Sequence, residues 1–402
     1  MSQQDRVIVV GGGPVGLTAA LNLVRQYIPV LLLEASSEVY DEPRAATVHP
    51  PTMELFASLG VMEQFHARGN IVRYYQYRDR REGVVAEFDL EVLRSETDYP
   101  YRLMLEQHKI CEILMAELVK APSCEILTGH GVENVVQDDE GVMVRAGTSA
   151  GAKSFQARYA IGADGGRSAV RKSMNVEFEG FSYEERFIVV ATKYDFGAKG
   201  YAETCYIADP EDWCAMFKVP GPDDRGLWRV TSAVKAGQTN EEVCEDAAIE
   251  ARLQRFHPKP EPYEIVHRNI YQLHQRVASN YRDGRILVAG DAAHVNNPLG
   301  GMGMNFGFHD AFNLSEKLGQ IWRSEASSDL LDQYDRQRRT VATEYLQRQT
   351  IENKKNIEQT SEAERQSFHT ELRAIVADEE RQRSYLKRVS MIDGMRRANS
   401  ID

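Results

Sequence analysis

Cysteine and long apolar runs are scarce in this sequence. Its 402 residues contain five scattered cysteines, and no two of them form a Cys-x-x-Cys pair. We therefore expect reduced packing residues and neither disulfides nor a metal site. No apolar run approaches the roughly 18 residues of a membrane-spanning helix, and no secretory signal precedes the first apolar segment. These absences predict a soluble, cytoplasmic protein without a membrane segment.

Positively charged residues are also fewer than negatively charged ones. The chain has 48 Lys and Arg residues against 60 Asp and Glu residues, which gives a formal net charge of −12. Because nucleic acids and anionic membranes attract basic surfaces, the composition argues against both as partners. Hydrophobic residues make up 42% of the chain, enough for a buried core, and the length predicts two domains with a small third element.

A glycine-rich turn near the start of the chain connects a predicted strand to a predicted helix. Residues 6–10 form an apolar run typical of a buried parallel strand, and residues 14–26 carry apolar side chains at helical spacing. Residues 11–16 between them read Gly-Gly-Gly-Pro-Val-Gly, and a second apolar strand ends at Glu34. This order predicts a dinucleotide-binding fingerprint, with a glycine-rich turn that binds nothing as the alternative.

Each glycine of this turn has its own expected task. Gly11 allows the tight turn, Gly13 lets the backbone approach a pyrophosphate, and Gly16 lets the helix pack closely on the strand. The helix N-terminus attracts the phosphate charge, and Glu34 stands where a ribose-binding acid is expected.

Two further glycine motifs follow in the chain. Residues 162–168 read Gly-Ala-Asp-Gly-Gly-Arg-Ser, in which Asp164 either orders a loop near the pyrophosphate or caps the next helix. Asp291 ends another apolar strand, where it can accept hydrogen bonds from ribityl hydroxyls. Residues 298–305, Pro-Leu-Gly-Gly-Met-Gly-Met-Asn, open a long predicted helix whose dipole favours the negative charge of a reduced flavin. The three motifs together predict one flavin nucleotide bound along its length.

The periodicity of the chain predicts an α/β fold in three parts. We expect a Rossmann-like FAD-binding domain of the glutathione-reductase type, an inserted, mostly antiparallel β-sheet substrate domain, and a helical C-terminal segment. The charged, helical chain from Leu330 onward offers no catalytic residue. Their expected boundaries are 1–72, 98–182 and 276–350 for the first, 73–97 and 183–275 for the second, and 351–402 for the third. No second Gly-x-Gly-x-x-Gly follows a predicted strand, so a nicotinamide co-substrate would dock transiently on the flavin domain.

With Pro43-Arg44-Ala45, these ordered motifs resemble those of the single-component class A flavoprotein aromatic hydroxylases, of which para-hydroxybenzoate hydroxylase is the best-known type. The resemblance implies that Arg44 and Gln107 contact the flavin pyrophosphate and ribityl chain. It also implies that Asp164 links the flavin and nicotinamide sites, and that Asn305 lies by the pyrimidine edge of the ring. The cofactor contacts expected in all are Gly11, Gly13, Gly16, Glu34, Arg44, Gln107, Asp164, Asp291, Gly301, Gly303, Met304 and Asn305.

The resemblance implies FAD as cofactor and NADH or NADPH as transient co-substrate. O2 would form a C4a-hydroperoxide on the reduced flavin, and this species would hydroxylate a small phenolic or hydroxypyridine-type aromatic substrate. An FAD-dependent epoxidase or oxidase on the same frame stays open, whereas the Trp-x-Trp-x-x-Ile-Pro run of flavin-dependent halogenases is missing. A non-catalytic flavin-fold binding protein would have no need of Asp291. A homodimer is compatible with the resemblance.

The sheet domain is expected to supply the substrate pocket. Its candidate residues are Tyr206, Met216, Trp228 and Tyr271, with Pro298 facing the flavin ring from the other side. His274 or Tyr271 would act as the base or relay that deprotonates the activating hydroxyl, and a half-buried packing role is the alternative for each.

Several other residues near these motifs are left with open roles. Arg229 and Arg268 lie on predicted strands, and either would anchor an acidic substrate if its side chain faced the cavity. His294 is expected to brace its loop. Residues 295–297, Val-Asn-Asn, depart from the apolar residue and proline pair that many relatives carry beside the substrate.

Overall fold

The computed structural model describes residues 5–37, 45–223, 226–235 and 237–402, so the predicted flavin contact Arg44 lies outside the described residues. The described chain forms twenty strands: β1 (Val7–Val10), β2 (Val30–Leu33), β3 (Thr47–Val48), β4 (Asn70–Val72), β5 (Tyr74–Asp79), β6 (Gly83–Asp89), β7 (Arg102–Met104), β8 (Cys124–Leu127), β9 (Gly131–Gln137), β10 (Val142–Thr148), β11 (Gly151–Ala157), β12 (Tyr159–Gly162), β13 (Phe178–Thr192), β14 (Thr204–Ala208), β15 (Cys214–Val219), β16 (Leu227–Val234), β17 (Ile265–Ala278), β18 (Arg282–Asp283), β19 (Ile286–Val288) and β20 (His294–Val295).

The same residues form thirteen α-helices: α1 (Pro14–Arg25), α2 (Pro50–Ser58), α3 (Met62–Arg68), α4 (Gln107–Leu118), α5 (Ala169–Ser173), α6 (Asn240–Cys244), α7 (Asp246–Phe256), α8 (Gly303–Trp322), α9 (Leu330–Val341), α10 (Arg348–Ile357), α11 (Glu362–Val376), α12 (Glu379–Val389) and α13 (Ile392–Asn399). A π-helical turn, Ala342–Gln347, joins α9 to α10. No described helix is both long and apolar enough to cross a membrane.

A six-stranded sheet contains the first glycine motif. Its strand order is β18-β19-β12-β1-β2-β8, and all neighbours from β19 to β8 are parallel. The strands β1, β2 and β12 are buried along their whole length, which is typical of a parallel sheet covered on both faces. Helix α1 packs against α4 and α8 beside this sheet, and a three-stranded antiparallel sheet, β9 to β11, contacts β1 and β12. The predicted α/β class is therefore confirmed.

An eight-stranded sheet forms the second large layer. Its order is β20-β17-β13-β16-β15-β14-β5-β6, and all its strand pairs are antiparallel except β14 with β5. One face, which we call the outer face, packs on α6 and α7 through a cluster that includes Ile188, Val230 and Leu253. The opposite, inner face contacts Leu299, Ala46 and other residues near the glycine motifs. Both faces of the central strands of this sheet are thus covered.

The C-terminal helices complete the eight-stranded sheet. Leu372 of α11 and Leu386 of α12 belong to one core cluster with Tyr75, Tyr77 and Phe88 of β5 and β6. Helix α10 contacts β14. The charged segment after residue 350 is therefore packed on the same sheet whose inner face borders the glycine motifs.

Candidate active site

The first glycine motif ends in an open helix N-terminus. Gly13 is the N-cap of α1, Pro14 occupies the first turn, and that turn has neither a side-chain cap nor an acidic residue. A Cβ added at Gly13 would meet nothing within 4 Å, so space for a ligand lies directly in front of the helix. Unsatisfied N–H groups and the helix dipole favour a phosphate at such a position.

The neighbouring glycines fill tight positions. Gly11 has φ +105°, in the left-handed region, and a Cβ there would collide with the Ala163 carbonyl. A Cβ at Gly16 would collide with the Gly11 carbonyl, because α1 crosses close to the end of β1. These two positions accept only glycine.

Glu34 closes the far side of this turn. Its Oε2 accepts a hydrogen bond from the Gly12 N–H at 2.5 Å, and its Oε1 accepts one from Ser36 N–H at 2.7 Å. The carboxylate therefore lies at the end of β2 beside the glycine turn, where ribose hydroxyls can donate to it. Together with the space in front of Gly13, this arrangement fits the adenosine and pyrophosphate parts of a dinucleotide.

Gln107 is the first residue of α4. Its N–H donates to the Ala45 carbonyl at 2.9 Å, which brings the start of α4 against the residue that follows the predicted contact Arg44. Glu106, directly before it, accepts from Gly221 N–H at 2.8 Å and lies 3.0 Å from Lys109 Nζ. The loop between β15 and β16 is thereby held against the N-terminus of α4.

Asp164 follows the second of its two expected roles. Its carboxylate accepts hydrogen bonds from Ser168 Oγ at 2.5 Å, from Ala169 N–H at 2.7 Å and from Val170 N–H at 3.2 Å. Burial raises the pKa of Asp164, and these hydrogen bonds oppose that rise. The residue thus caps the start of α5, while its backbone lies against Gly11. Its link between the flavin and nicotinamide sites stays a prediction.

Asp291 has an exposed side chain after β19, whereas its loop is anchored in the core. The Gly290 N–H donates to Asp310 Oδ2 at 3.0 Å, and the Nε2–H of His294 donates to the same oxygen at 2.8 Å. Arg338 of α9 donates through Nε to Asp310 Oδ1 at 2.6 Å. His294 therefore braces its loop, and the buried Asp310 fixes the backbone that presents Asp291.

Hydrogen bonds connect the third glycine motif to the segment around β3. The Nε2–H of His49 donates to the Gly300 carbonyl at 3.0 Å, and burial lowers the pKa of His49 to about 3. Asn305 accepts from the His49 N–H at 2.9 Å and donates to the carbonyls of Thr47 and Gly301, both at 2.8 Å. The side-chain amide of Asn305, which we expected at the pyrimidine edge of the flavin, thus connects two backbone segments.

The third glycine motif leads into an uncapped helix N-terminus. Gly300 and Gly301 have φ values of +105° and +64°, and Pro298 is exposed. Helix α8 begins at Gly303 without a side-chain cap, so the N–H groups of Gly303 and Met304 point beyond the helix end. The Met304 side chain itself packs in the core. An uncapped N-terminus fits the electron-rich edge of a flavin.

Two of the predicted substrate contacts lie on the wrong face of the eight-stranded sheet. Met216 is fully buried in the outer-face cluster, and Trp228, 1% exposed, donates through Nε1 to Asp195 Oδ1 at 3.3 Å. Because side chains alternate along a strand, the inner-face neighbours are instead Phe217 and Arg229. The prediction that Met216 and Trp228 line the pocket is wrong.

His274 is also misplaced as a base. Its side chain is exposed and shares a 2.8 Å hydrogen bond between Nδ1 and Ser182 Oγ, while its neighbours Leu273 and Gln275 are buried. Arg268 likewise turns away from the inner face, since it donates to the Cys244 carbonyl and pairs with Asp246. Neither side chain points to the inner face, which borders the glycine motifs.

The remaining candidates do meet on the inner face. Burial lowers the pKa of Arg229, and the neighbouring Tyr271 and Glu106 oppose that shift. Tyr206, two strands away, lies close to Arg102 and to the backbone of Gly300. Burial raises the pKa of Tyr206, whereas the Arg102 charge lowers it.

Arg102 is a site residue that the sequence analysis missed. It is 3% exposed, its Nε has no hydrogen-bond partner, and its guanidinium lies 4.7 Å from the ring centre of Tyr75. Tyr75 in turn lies close to Tyr385 of α12. An arginine directly before the apolar residues Leu103 and Met104 was the available signal, since a buried strand tolerates a charge only with a specific environment.

One group of possible metal ligands occurs among the described residues, away from this site. Asp79, Glu82 and the buried His369 approach one another, but arginines already occupy both carboxylates. Arg365 lies 3.3 Å from Asp79, and Arg373 lies 2.6 Å from Glu82. The cluster therefore acts as an ion-pair network that fastens α11 to the β5–β6 hairpin.

Comparison with known proteins identifies the family. The family described as "FAD binding domain" matches residues 4–349. The chain is 36% identical over 352 residues to para-nitrophenol 4-monooxygenase of Pseudomonas sp. (strain WBC-3), covering 86% of this chain and 85% of that protein. It is 32% identical over 389 residues to 6-hydroxy-3-succinoylpyridine 3-monooxygenase HspB of Pseudomonas putida, covering 96% and 98%.

Solved structures of similar proteins point to the same family as the sequence relatives. The p-nitrophenol 4-monooxygenase PnpA from Pseudomonas putida DLL-E4 superposes with a TM-score of 0.92 at 32% identity over 98% of both chains. A ternary complex of aklavinone-11 hydroxylase with FAD and aklavinone gives a TM-score of 0.76 at 28% identity, covering 89% of this chain and 70% of that one. The resemblance inferred from the motifs is confirmed: this chain belongs to the FAD-binding domain family of flavoprotein aromatic hydroxylases.

Proposed function

We propose that this protein is an NAD(P)H- and O2-dependent FAD monooxygenase that hydroxylates a small phenolic or hydroxypyridine-type substrate. The observation that carries the proposal is the Tyr206–Arg102 pair beside the Gly300 backbone. It puts a hydroxyl group and a buried cation next to the loop expected to face the flavin. The activities in the names of the two relatives, on a nitrophenol and on a hydroxypyridine, support the same substrate class.

The cofactor would be bound by the three glycine motifs. In this proposal the α1 N-terminus at Gly13 holds the pyrophosphate, Glu34 the adenosine ribose, Asp291 the ribityl chain and the Gly301–Met304 backbone the ring. The six-stranded sheet would then be a Rossmann-like FAD-binding domain with the limits predicted above, and the eight-stranded sheet the substrate domain. FAD, once reduced by NADH or NADPH, supplies the activation of O2.

Tyr206 and Arg102 would prepare the substrate for hydroxylation. A phenolic O–H bound against Tyr206 Oη would donate a hydrogen bond to that oxygen, and Tyr206 could take up the proton only while it passes its own proton on to solvent. The guanidinium of Arg102 favours the anion that results, and an ionised hydroxyl makes the ring carbons beside and opposite it more electron-rich. This pair takes the place that we expected His274 to fill.

Arg229 and Tyr271 would bind the other end of the substrate. Both lie on the inner face, and burial already disfavours the charge of Arg229. A carboxylate would compensate that charge, and either a carboxylate or a nitro group would accept hydrogen bonds from the planar guanidinium. The pocket would therefore select an aromatic ring with a hydroxyl group at one end and an acidic or strongly polar substituent at the other.

The decisive experiment measures NADH and NADPH oxidation by the purified FAD-loaded protein with 4-nitrophenol, hydroxybenzoates and hydroxypyridines. We expect one of these aromatics to stimulate oxidation and to yield a product heavier by one oxygen atom or, for a nitrophenol, one that has lost nitrite. If no aromatic compound changes the rate of NADH or NADPH oxidation and hydrogen peroxide is the only product, the protein is an oxidase and not a hydroxylase. A fractionated cell extract would test the cytoplasmic location that we also propose.

A further inference from the structure

The segment that departs from the proline pair of many relatives is anchored by hydrogen bonds. Asn297 is 0% exposed, and its N–H donates to Gln275 Oε1 at 3.0 Å. Its Nδ2 donates to the Thr350 carbonyl at 3.0 Å, and its Oδ1 accepts from the Leu299 N–H at 3.2 Å. A proline at position 297 would lack the N–H group for the first of these bonds.

The anchor continues into α10. Gln275 donates through Nε2 to Thr350 Oγ1 at 2.8 Å, and Thr350 Oγ1 donates to the Leu346 carbonyl at 2.8 Å. Gln275 and Thr350 are both buried. Buried polar groups that satisfy one another in this way hold a unique arrangement, because each unpaired group would carry a desolvation cost.

A second contact from α10 reaches the glycines themselves. Asn353 donates through Nδ2 to the Leu299 carbonyl at 3.1 Å. A Cβ built on Gly300 would lie 2.7 Å from the same Nδ2, so the Asn353 amide packs directly against Gly300. Gln349 fixes the orientation of that amide by donating to Asn353 Oδ1 at 2.9 Å.

We propose that Asn297, Thr350 and Asn353 are positioning residues that set the Leu299–Gly301 backbone against the flavin ring. We name these three residues, with Gln275, the polar clamp. The inference rests on the proposed function, because it assumes that this backbone faces FAD. It gives α10, in a segment where the sequence suggested no catalytic role, control over the loop between cofactor and substrate.

The clamp predicts a specific defect. When the loop is held loosely, reduced flavin and substrate are misaligned, and O2 leaves as hydrogen peroxide before oxygen is transferred to the ring. In that reaction the two electrons of NADH or NADPH reduce O2 to H2O2, and the substrate is recovered unchanged. Loss of one buried hydrogen bond should raise the peroxide yield per nicotinamide oxidised about five-fold, the factor that corresponds to about 1 kcal/mol.

The test compares matched variants of the full-length FAD-loaded protein. Thr350→Val removes the hydroxyl group at nearly constant shape, and Thr350→Ser retains it. Asn353→Ala removes a half-buried contact and keeps the test available if Thr350→Val does not accumulate. Glu352→Ala, at an exposed position of the same helix, is the control. The measurements are the visible circular dichroism of bound FAD, the peroxide yield with 4-nitrophenol, and thermal unfolding.

We expect Thr350→Val and Asn353→Ala to change the flavin dichroism and raise the peroxide yield, while Thr350→Ser and Glu352→Ala match the wild type. Lower thermal stability with unchanged dichroism and unchanged peroxide yield would overturn the clamp. If the wild type hydroxylates no aromatic, the proposed function fails. The dichroism still decides the clamp in that case, because it requires only bound FAD.

Discussion

The carboxylate of Asp310 joins the His294 imidazole, 2.8 Å away, to the Arg338 guanidinium, 2.6 Å away, and all three groups are buried. Burial alone would raise the pKa of Asp310, but Arg338 and His294 outweigh it and hold that pKa below its usual value. The same carboxylate accepts from Gly290. A single ionised group therefore supports the loop that presents Asp291.

Arg338→Met should destabilise the protein by about 3–5 kcal/mol, because it leaves the Asp310 charge buried without its main partner. FAD should dissociate more readily as the Gly290 loop loosens. Chemical unfolding and FAD titration measure the two effects, and Arg339→Met is the matched control, since Arg339 forms a more exposed pair with Asp335. Equal stability of the two variants would contradict the role given to Asp310.

Gly13→Val should yield colourless protein. The new side chain would fill the space in front of α1 that the pyrophosphate needs, while the fold has room for it. The flavin absorbance of the purified variant measures the effect, and far-ultraviolet circular dichroism checks that the chain is folded. A yellow variant with full FAD content would rule out this pyrophosphate site.

His49 should make the protein less stable in mild acid. Its pKa is lowered to about 3 in the folded state against an ordinary value of 6.5, so the unfolded chain binds the extra proton. Its contribution to stability is complete above pH 6.5 and is lost toward pH 3, by about 1.4 kcal/mol per pH unit.

His49→Gln removes this titration, and its amide can still donate to the Gly300 carbonyl. Urea unfolding of the apoprotein between pH 5 and pH 7 should show a shallower pH dependence for the variant. Identical slopes for variant and wild type would mean that the buried imidazole does not titrate in this way.

Arg102→Met should shift the pH at which the bound phenol ionises. Removing the cation next to Tyr206 makes the anion less favourable, so the acid limb of the kcat profile moves to higher pH. Tyr206→Phe should lower product formation about 100-fold at neutral pH, as expected for loss of a group that handles a proton. An unchanged profile in Arg102→Met would assign that arginine to packing alone.

Met216→Ala should reduce stability without altering the KM for the aromatic substrate. Its side chain fills the outer-face core, where truncation costs about 2–5 kcal/mol. His274→Gln should leave both stability and activity unchanged, because the side chain is exposed. A raised KM in either variant would show that the residue contacts the substrate after all.

The sequence predicted those parts of the molecule in which residues close together in the chain determine both the backbone conformation and the ligand contact. The Gly11–Gly16 turn, Glu34 at the end of β2 and the long helix near residue 303 all have a signal that depends on neighbouring residues only. The sequence did not show which residues of the eight-stranded sheet face inward and which face outward. Both faces of its central strands are covered, so apolar residues occur on both. Met216 and Phe217 are equally apolar, and nothing in their order tells which one faces inward.

Long-range polar contacts were beyond the sequence for another reason. Thr350 and Asn353 lie on a charged helix, and such residues usually face water. Their roles depend on the meeting of α10 with Leu299 and Gln275, which only the tertiary fold determines. Arg102 did leave a signal, a charge directly before apolar strand residues, but the partner that makes it chemically useful, Tyr206, is about a hundred residues away.

The edge strands of the eight-stranded sheet carry a consequence for handling the protein. At one edge the two-residue strand β20 pairs with Arg276 and Val277 of β17. At the other edge β6 is packed against α11, and the Asp89 N–H donates to Gln382 of α12 at 3.0 Å. Proteolytic loss of α11 and α12 would uncover a seven-residue edge with apolar side chains. Such an edge pairs with other chains, so the trimmed enzyme should aggregate before it unfolds.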